Sequence, residues 1–130
     1  MQAAVRSHPE LRMMGNPTFL FSFTSDVFDI YLVNDFMRTR GWRLNGQQYP
    51  NALHMAVTRP QTQDGLAAAF ATDLADAVTY ASDKHTAGEP PASGAVYGGV
   101  AGGMTDEVSD VIKFFMADML DTMQSIPPLA

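Results

Sequence analysis

From Pro17 to Ser25 the sequence PTFLFSFTS sets Phe19, Phe21 and Phe23 against Leu20 and Ser22, the two-residue period of a strand, and the Asn16-Pro17 pair punctuates its start. A well-buried strand is predicted. Ser25 or Asp26 stands where the cap of a following helix is expected, and Phe28, Ile30, Tyr31, Val33, Phe36 and Met37 cover more than one side of that helix. It is therefore expected to be sandwiched between other elements and to end at Gly41, where a left-handed backbone costs little. Trp42 to Tyr49 and Ala52 to Thr58 read as two short strands joined by a turn at Pro50-Asn51. In the second, Leu53, Met55 and Val57 share one face and His54, Ala56 and Thr58 the other; Pro60 ends it.

From Thr62 onward the apolar residues Leu66, Phe70, Leu74, Ala77, Val78 and Ala81 fall three or four apart, while Asp73, Asp76 and Asp83 mostly point elsewhere. This predicts an amphipathic helix with an acidic solvent side. TAGEPPASGAVYGGVAGG, rich in Gly, Pro and Ala, then reads as a linker or long loop. Thr105 is placed to cap a last helix, with Asp106 and Glu107 in its favourable first turn and an apolar stripe of Val108, Val111, Ile112, Phe115, Met116, Met119, Leu120 and Met123. Pro127-Pro128 stops it.

The order of elements implies a small α+β sandwich with helices over one face of a short sheet. It divides the chain into an α+β domain over 1–85, a Gly/Pro-rich loop over 86–104, and an amphipathic helix and tail over 105–130. The terminal stripe, rich in Phe and Met, is expected to pack on a surface that this chain only partly supplies, which implies a missing partner.

A length of 130 residues and a hydrophobic content of 46% suit one domain with a core of its own. The net charge is −6, and the basic residues are scattered apart from Arg38, Arg40 and Arg43, so the concentrated basic face that binds nucleic acid is not expected. The chain has no cysteine, which excludes disulfides and thiolate metal sites and is compatible with a reducing cytosol. No apolar run reaches the roughly 18 residues of a membrane span, and MQAAVRSHPELR lacks a signal peptide's apolar stretch. A soluble, cytoplasmic protein is expected.

Candidate chemistry is sparse. His8, His54 and His85 are far apart and form no HxH or HxxxH pattern, so no metal site is expected. His54 has no acid or nucleophile nearby in sequence and reads as a half-buried strand residue rather than a catalyst; His85 reads as solvated. GAVYGGVAGG has neither a GK[ST] ending nor GxGxxG spacing after a strand, so it is not a phosphate cradle. Within it Tyr97 either pins a loose loop onto the body or presents a phenol to a pocket. Arg59, closing a strand, has the fork that clamps a carboxylate or phosphate, although a surface ion pair is the commoner use.

The run GNPTFLFSFTSDVFDIYLVNDFMRTRGWRLNGQQYPNALHMAVTRPQT, Gly15 to Thr62, followed by GAVYG, Gly94 to Gly98, and the terminal helix, resembles the C-terminal part of the sphingosine-1-phosphate lyases. These belong to the pyridoxal-phosphate decarboxylase group of the aspartate-aminotransferase fold. The most specific elements are GNP before the strand, FDIY opening the helix, GW followed by LN, the strand running from Pro50 to His54, and the late GAxYG.

The resemblance implies the small C-terminal α+β domain of a fold-type I enzyme, a short antiparallel sheet covered by helices. Trp42 and Leu44 would pack that sheet and Pro50 would shape the turn. Family enzymes hold pyridoxal phosphate as a Schiff base on a lysine that follows a histidine in a Ser-x-x-His-Lys segment of the large domain. This chain has only Lys84 and Lys113, and SDKH places Lys84 before His85, so no catalytic, cofactor-binding or metal residue is assigned to it. Tyr97 matches the GAxYG tyrosine, which the resemblance places near the access to the active site; Arg59 has no assured equivalent. The implied enzyme cleaves phosphorylated long-chain bases, or a related amino compound, as a homodimer with sites at the subunit interface. The chain would be its C-terminal domain, dependent on the missing large domain. The alternatives are a free-standing dimerisation or interaction module without catalysis, and a fragment of an amino-acid decarboxylase of the glutamate type.

Overall fold

A computed structural model of the chain describes residues 1–93 and 106–124, with side chains on the last helix described over 110–122. The chain forms two compact units, Met1–Gly98 and Gly99–Ala130. The first contains α1 (Gln2–Arg6), β1 (Leu11–Met14), β2 (Leu20–Ser25), α2 (Ile30–Thr39), β3 (Asn45–Gln47), β4 (Ala52–Ala56), a 3₁₀ turn (Arg59–Thr62) and α3 (Leu66–Thr86). The second contains α4 (Asp106–Gln124).

The four strands form one antiparallel sheet in the order β1-β2-β4-β3. Its register puts Phe21 opposite Met55 and Phe23 between Met13 and Leu53, so one face is continuously apolar. That face joins a single core with Tyr31, Val33 and Met37 of α2, Phe70, Leu74 and Ala77 of α3, and Val5 of α1. Phe21 and Phe70 meet edge to face at 6.5 Å, which ties the sheet to α3. The other face carries a cross-strand row of Met14, Ser22, His54 and Asn45, beside the pair Leu20–Ala56.

The expected α+β architecture is the one observed, and α2 is hemmed in as its apolar pattern requires, with Ile30 to Asn34 and Met37 all buried. It begins later than expected. Ser25 Oγ accepts the amides of Val27 and Phe28 in a tight turn, Asp26 pairs with Arg12, and the cap is Asp29, which accepts from the Tyr31 amide at 3.0 Å. At its end Gly41, with φ +85°, donates to the Arg38 carbonyl while Trp42 donates to that of Met37. This is a Schellman stop, and its left-handed position is the one that glycine fills at least cost.

The strand expected over Trp42 to Tyr49 shrinks to Asn45–Gln47, and the one from Ala52 ends at Ala56. Trp42 packs, partly buried, against the core that the sheet and helices share. It turns to α3, meets Phe70 edge to face at 5.2 Å and donates to Asp73. Asp73 therefore belongs to the packing of α3 rather than to a freely solvated acidic side. Leu44 lies in the core as expected. The turn after β3 contains a cis Tyr49–Pro50 bond.

The N-terminal segment supplies two elements that the pattern from Pro17 onward does not predict. β1 pairs with β2 from Leu11 opposite Ser25 to Met14 opposite Ser22, and α1 buries Val5 beside it. Gln2 Nε2 donates to the carbonyl of Thr18, anchoring α1 to the β1–β2 connection.

Candidate functional site

The strand–helix core positions three regions whose chemistry bears on function. The first is the return of the chain from α3 to α2. α3 stops in a second Schellman arrangement, with Gly88 at φ +70° donating to His85 and Glu89 donating to the Lys84 carbonyl. The Lys84 ammonium is hydrogen-bonded to the Glu89 carboxylate and lies 5.7 Å from the centre of the Tyr80 ring. Ala92 and Ser93 then donate their backbone amides to Asp35 of α2. The start of the Gly/Pro-rich stretch is thus held to the body. A cleft of about 600 Å³ runs along it, lined by Asp35, Arg38, Tyr80, Lys84 and Ser93 among others. Tyr97, the candidate site residue, lies outside the described residues, and so do its neighbours Gly94 to Gly98.

The second region is the start of β2. Phe19 and Leu20 are 65% and 50% exposed, unlike the buried Phe21 and Phe23 farther along, so the expected burial of this strand fails at its first residues. Phe19 borders a groove floored by Phe21, Val57 and Ala67, while Leu20 stands with exposed Ala56 on the other side of the sheet. Two large apolar side chains thus flank one strand end on both faces of the sheet.

The third is α4. Val111, Phe114, Phe115, Met116, Met119 and Leu120 are all between 41% and 78% exposed. Such a helix gains little from propensity alone and draws its stability from packing an apolar face.

The other candidates stay apart. His54 is half-buried in the outer row of the sheet between Ser22 and Asn45, and among the described residues its buried Nδ1 has no partner and no carboxylate is bonded to it. His85 is exposed at the end of α3, and among the described residues no three His, Cys, Asp or Glu side chains come together as a metal site would require. Arg59 opens the 3₁₀ turn, exposed, and forms no ion pair with a described residue. The surface ion pair expected there is not formed among the described residues.

Neither lysine suits a cofactor carbonyl. A Schiff base forms from a neutral amine, whereas the hydrogen bond that Lys84 donates to Glu89 pushes its ammonium above its ordinary range, and Lys113 is bonded to Asp110 at 3.0 Å on the exposed side of α4. The described residues therefore do not fit a covalent pyridoxal phosphate site.

Comparison with known proteins gives these regions a context. No family model matches the chain. A sphingosine-1-phosphate lyase from Oryza sativa subsp. japonica is 37% identical over 122 residues, which cover 89% of this chain and 21% of that protein. The sphingosine-1-phosphate lyase of Arabidopsis thaliana is 34% identical over 125 residues, with 89% of this chain and 21% of the relative covered. Among solved structures, the sphingosine-1-phosphate lyase Bpss2021 of Burkholderia pseudomallei K96243 superposes with a TM-score of 0.69 at 46% identity, over 97% of this chain and 23% of that one. The curated relatives are thus about five times as long as the matched segment. Among the described residues no helix is long and apolar enough to cross a membrane. Sequence and fold agree that the chain belongs to the sphingosine-1-phosphate lyase family and spans about a fifth of the length of its curated members.

Proposed function

We propose that this chain is the C-terminal domain of a pyridoxal-phosphate-dependent carbon–carbon lyase acting on phosphorylated sphingoid bases or a related amino compound. It acts only together with the part of the enzyme that carries the cofactor lysine. The observation that carries this reading is the 46% identity with a solved lyase over 97% of the chain, confined to 23% of that lyase. The cofactor, when bound, supplies the electron sink for cleavage. This chain supplies a scaffold that docks on the cofactor-bearing part and, through Tyr97, lines the access to the site. The exposed Phe19 and Leu20 and the apolar face of α4 are the surfaces that such docking would cover. A cytoplasmic homodimer is the expected assembly.

The second reading is a free-standing interaction module without catalysis. The engagement of both lysines with carboxylates favours it over any activity of the isolated chain. One experiment separates the two. The matching segment of the Burkholderia lyase is replaced by this chain, and the chimera is assayed for cofactor absorbance, dimerisation and cleavage of a phosphorylated sphingoid base. A cofactor-loaded dimer with turnover within about tenfold of the parent supports the lyase domain. A soluble chimera that binds cofactor and does not turn over, beside an isolated chain that forms a closed dimer, favours the module.

A further inference from the structure

We propose that the cleft between the C-terminal halves of α2 and α3 is a binding site for a small organic oxyanion, a phosphate ester or a carboxylate, held by Arg38, Lys84 and Tyr80. The site is built from this chain's own body and does not rest on the lyase reading.

The distribution of charge carries the proposal. The cleft of about 600 Å³ is lined by Asp35, Arg38, Lys84 and Glu89 among others. Both carboxylates are already engaged. Asp35 Oδ2 accepts from the Ala92 amide at 2.6 Å and Oδ1 from the Ser93 amide at 3.1 Å, while Glu89 accepts from the Lys84 ammonium. Arg38, by contrast, forms no ion pair with a described residue. An ammonium has three N–H donors, and Glu89 takes one of those on Lys84. The cleft thus retains a guanidinium fork and spare ammonium donors, the groups that meet a carboxylate or phosphate.

Two hydroxyls in the same cleft lack partners among the described residues. The Tyr80 ring is held in place, with the Phe36 ring centre at 5.4 Å and the Lys84 ammonium at 5.7 Å, and its phenol is left without a hydrogen bond. Ser93 is 6% exposed, and its Oγ is buried with no partner. A buried hydroxyl left unpaired is costly, so it marks a place where a bound group completes the bonding. The dipoles of α2 and α3 account for a basic residue in each last turn. They do not account for the two hydroxyls. The cleft also falls within the roughly 300–1,000 Å³ of small-molecule sites, which is ample for an organic acid or ester and large for a bare ion.

The test titrates the full chain with inorganic phosphate, and separately with acetate, against sodium chloride at matched ionic strength, read by backbone amide shifts. A saturable response confined to residues 35–39, 80–84 and 89–93 supports the site; tighter phosphate assigns a phosphate ester, tighter acetate a carboxylate. Scattered shifts that sodium chloride reproduces overturn it. Arg38→Gln should weaken the affinity about tenfold, as loss of a hydrogen-bonded charge does, and Arg38→Lys should recover part of that loss. Tyr80→Phe, which keeps the ring packing, should weaken it about threefold. Arg43→Gln, at an exposed arginine outside the cleft, should leave it unchanged. Equal losses from Arg38→Gln and Arg43→Gln, or no loss from Arg38→Gln, overturn the proposal.

Discussion

The indole Nε1 of Trp42 donates to Asp73 Oδ2 at 2.7 Å, joining the residue after the α2 stop to the middle of α3 across 31 positions of sequence. Arg40 reaches the same carboxylate at 3.9 Å and that of Asp76 at 3.7 Å, while its guanidinium lies 5.2 Å from the Phe36 ring centre. A hydrogen bond to a charged group contributes about 1.5–3 kcal/mol, and an exposed ion pair about 0–1 kcal/mol. The bond to Trp42 is therefore the larger tie. Asp73→Ala should destabilise the chain by roughly 1.5–3 kcal/mol in urea unfolding, because it removes that bond and strands the indole N–H. Arg40→Ala should cost less than about 1 kcal/mol. Equal effects of the two variants would mean that the ion pairs dominate.

Gly41 has φ +85° and open space where a Cβ would stand, so a substitution there is opposed by the backbone and not by a clash. Gly41→Ala should cost about 1 kcal/mol by the left-handed penalty. Gly41→Asn should cost less, since Asn tolerates that region better than Ala does. Circular dichroism against urea checks both. A neutral Gly41→Ala would mean that α2 ends by another route.

Much of this core was legible because its residues follow one period each. The alternation of Phe21 and Phe23 and the spacing of Phe70, Leu74 and Ala77 read directly as buried strand and helix faces. β1 was not legible in the same way, because LRMM offers only two turns of alternation and its polar position is filled by Met14. The α3 partners of Trp42 were not legible, for a different reason. Phe70 and Asp73 lie far along the chain, and no local pattern encodes that meeting. The same holds for Asp35, which looks like an exposed helix residue in sequence and takes its meaning from Ala92 and Ser93.

The charge pairs predict opposite pH limits. The hydrogen bond from Arg12 holds the Asp26 carboxyl below its ordinary range, so the stability it contributes is present above the unfolded carboxyl's range and is lost as pH falls through the lowered folded value. The bond that Lys84 donates to Glu89 raises the lysine, so its contribution is present below the ordinary lysine range and is lost as pH rises through the raised value. Asp26→Asn should therefore flatten only the acid limb of a stability–pH profile, and Lys84→Met only the alkaline limb. Both differences should shrink in high salt, because these side chains meet solvent. A shift of the wrong limb in either variant would refute the assignment.

Phe19 and Leu20 make the clearest demand for a covering surface. At 65% and 50% exposure they contribute little to the isolated fold, so Phe19→Thr and Leu20→Thr, which keep a strand-forming residue, should each change its stability by no more than about 0.5 kcal/mol. In an assembled lyase the same side chains would be buried, and truncating a large buried apolar residue costs about 2–5 kcal/mol. The double variant should therefore leave the isolated chain's urea midpoint unchanged while lowering the thermal midpoint of the Burkholderia chimera and loosening its cofactor. The paired measurement matters because either half alone has a trivial explanation. Loss in both settings would make Phe19 and Leu20 part of this unit's own core, and loss in neither would leave the start of β2 as ordinary surface.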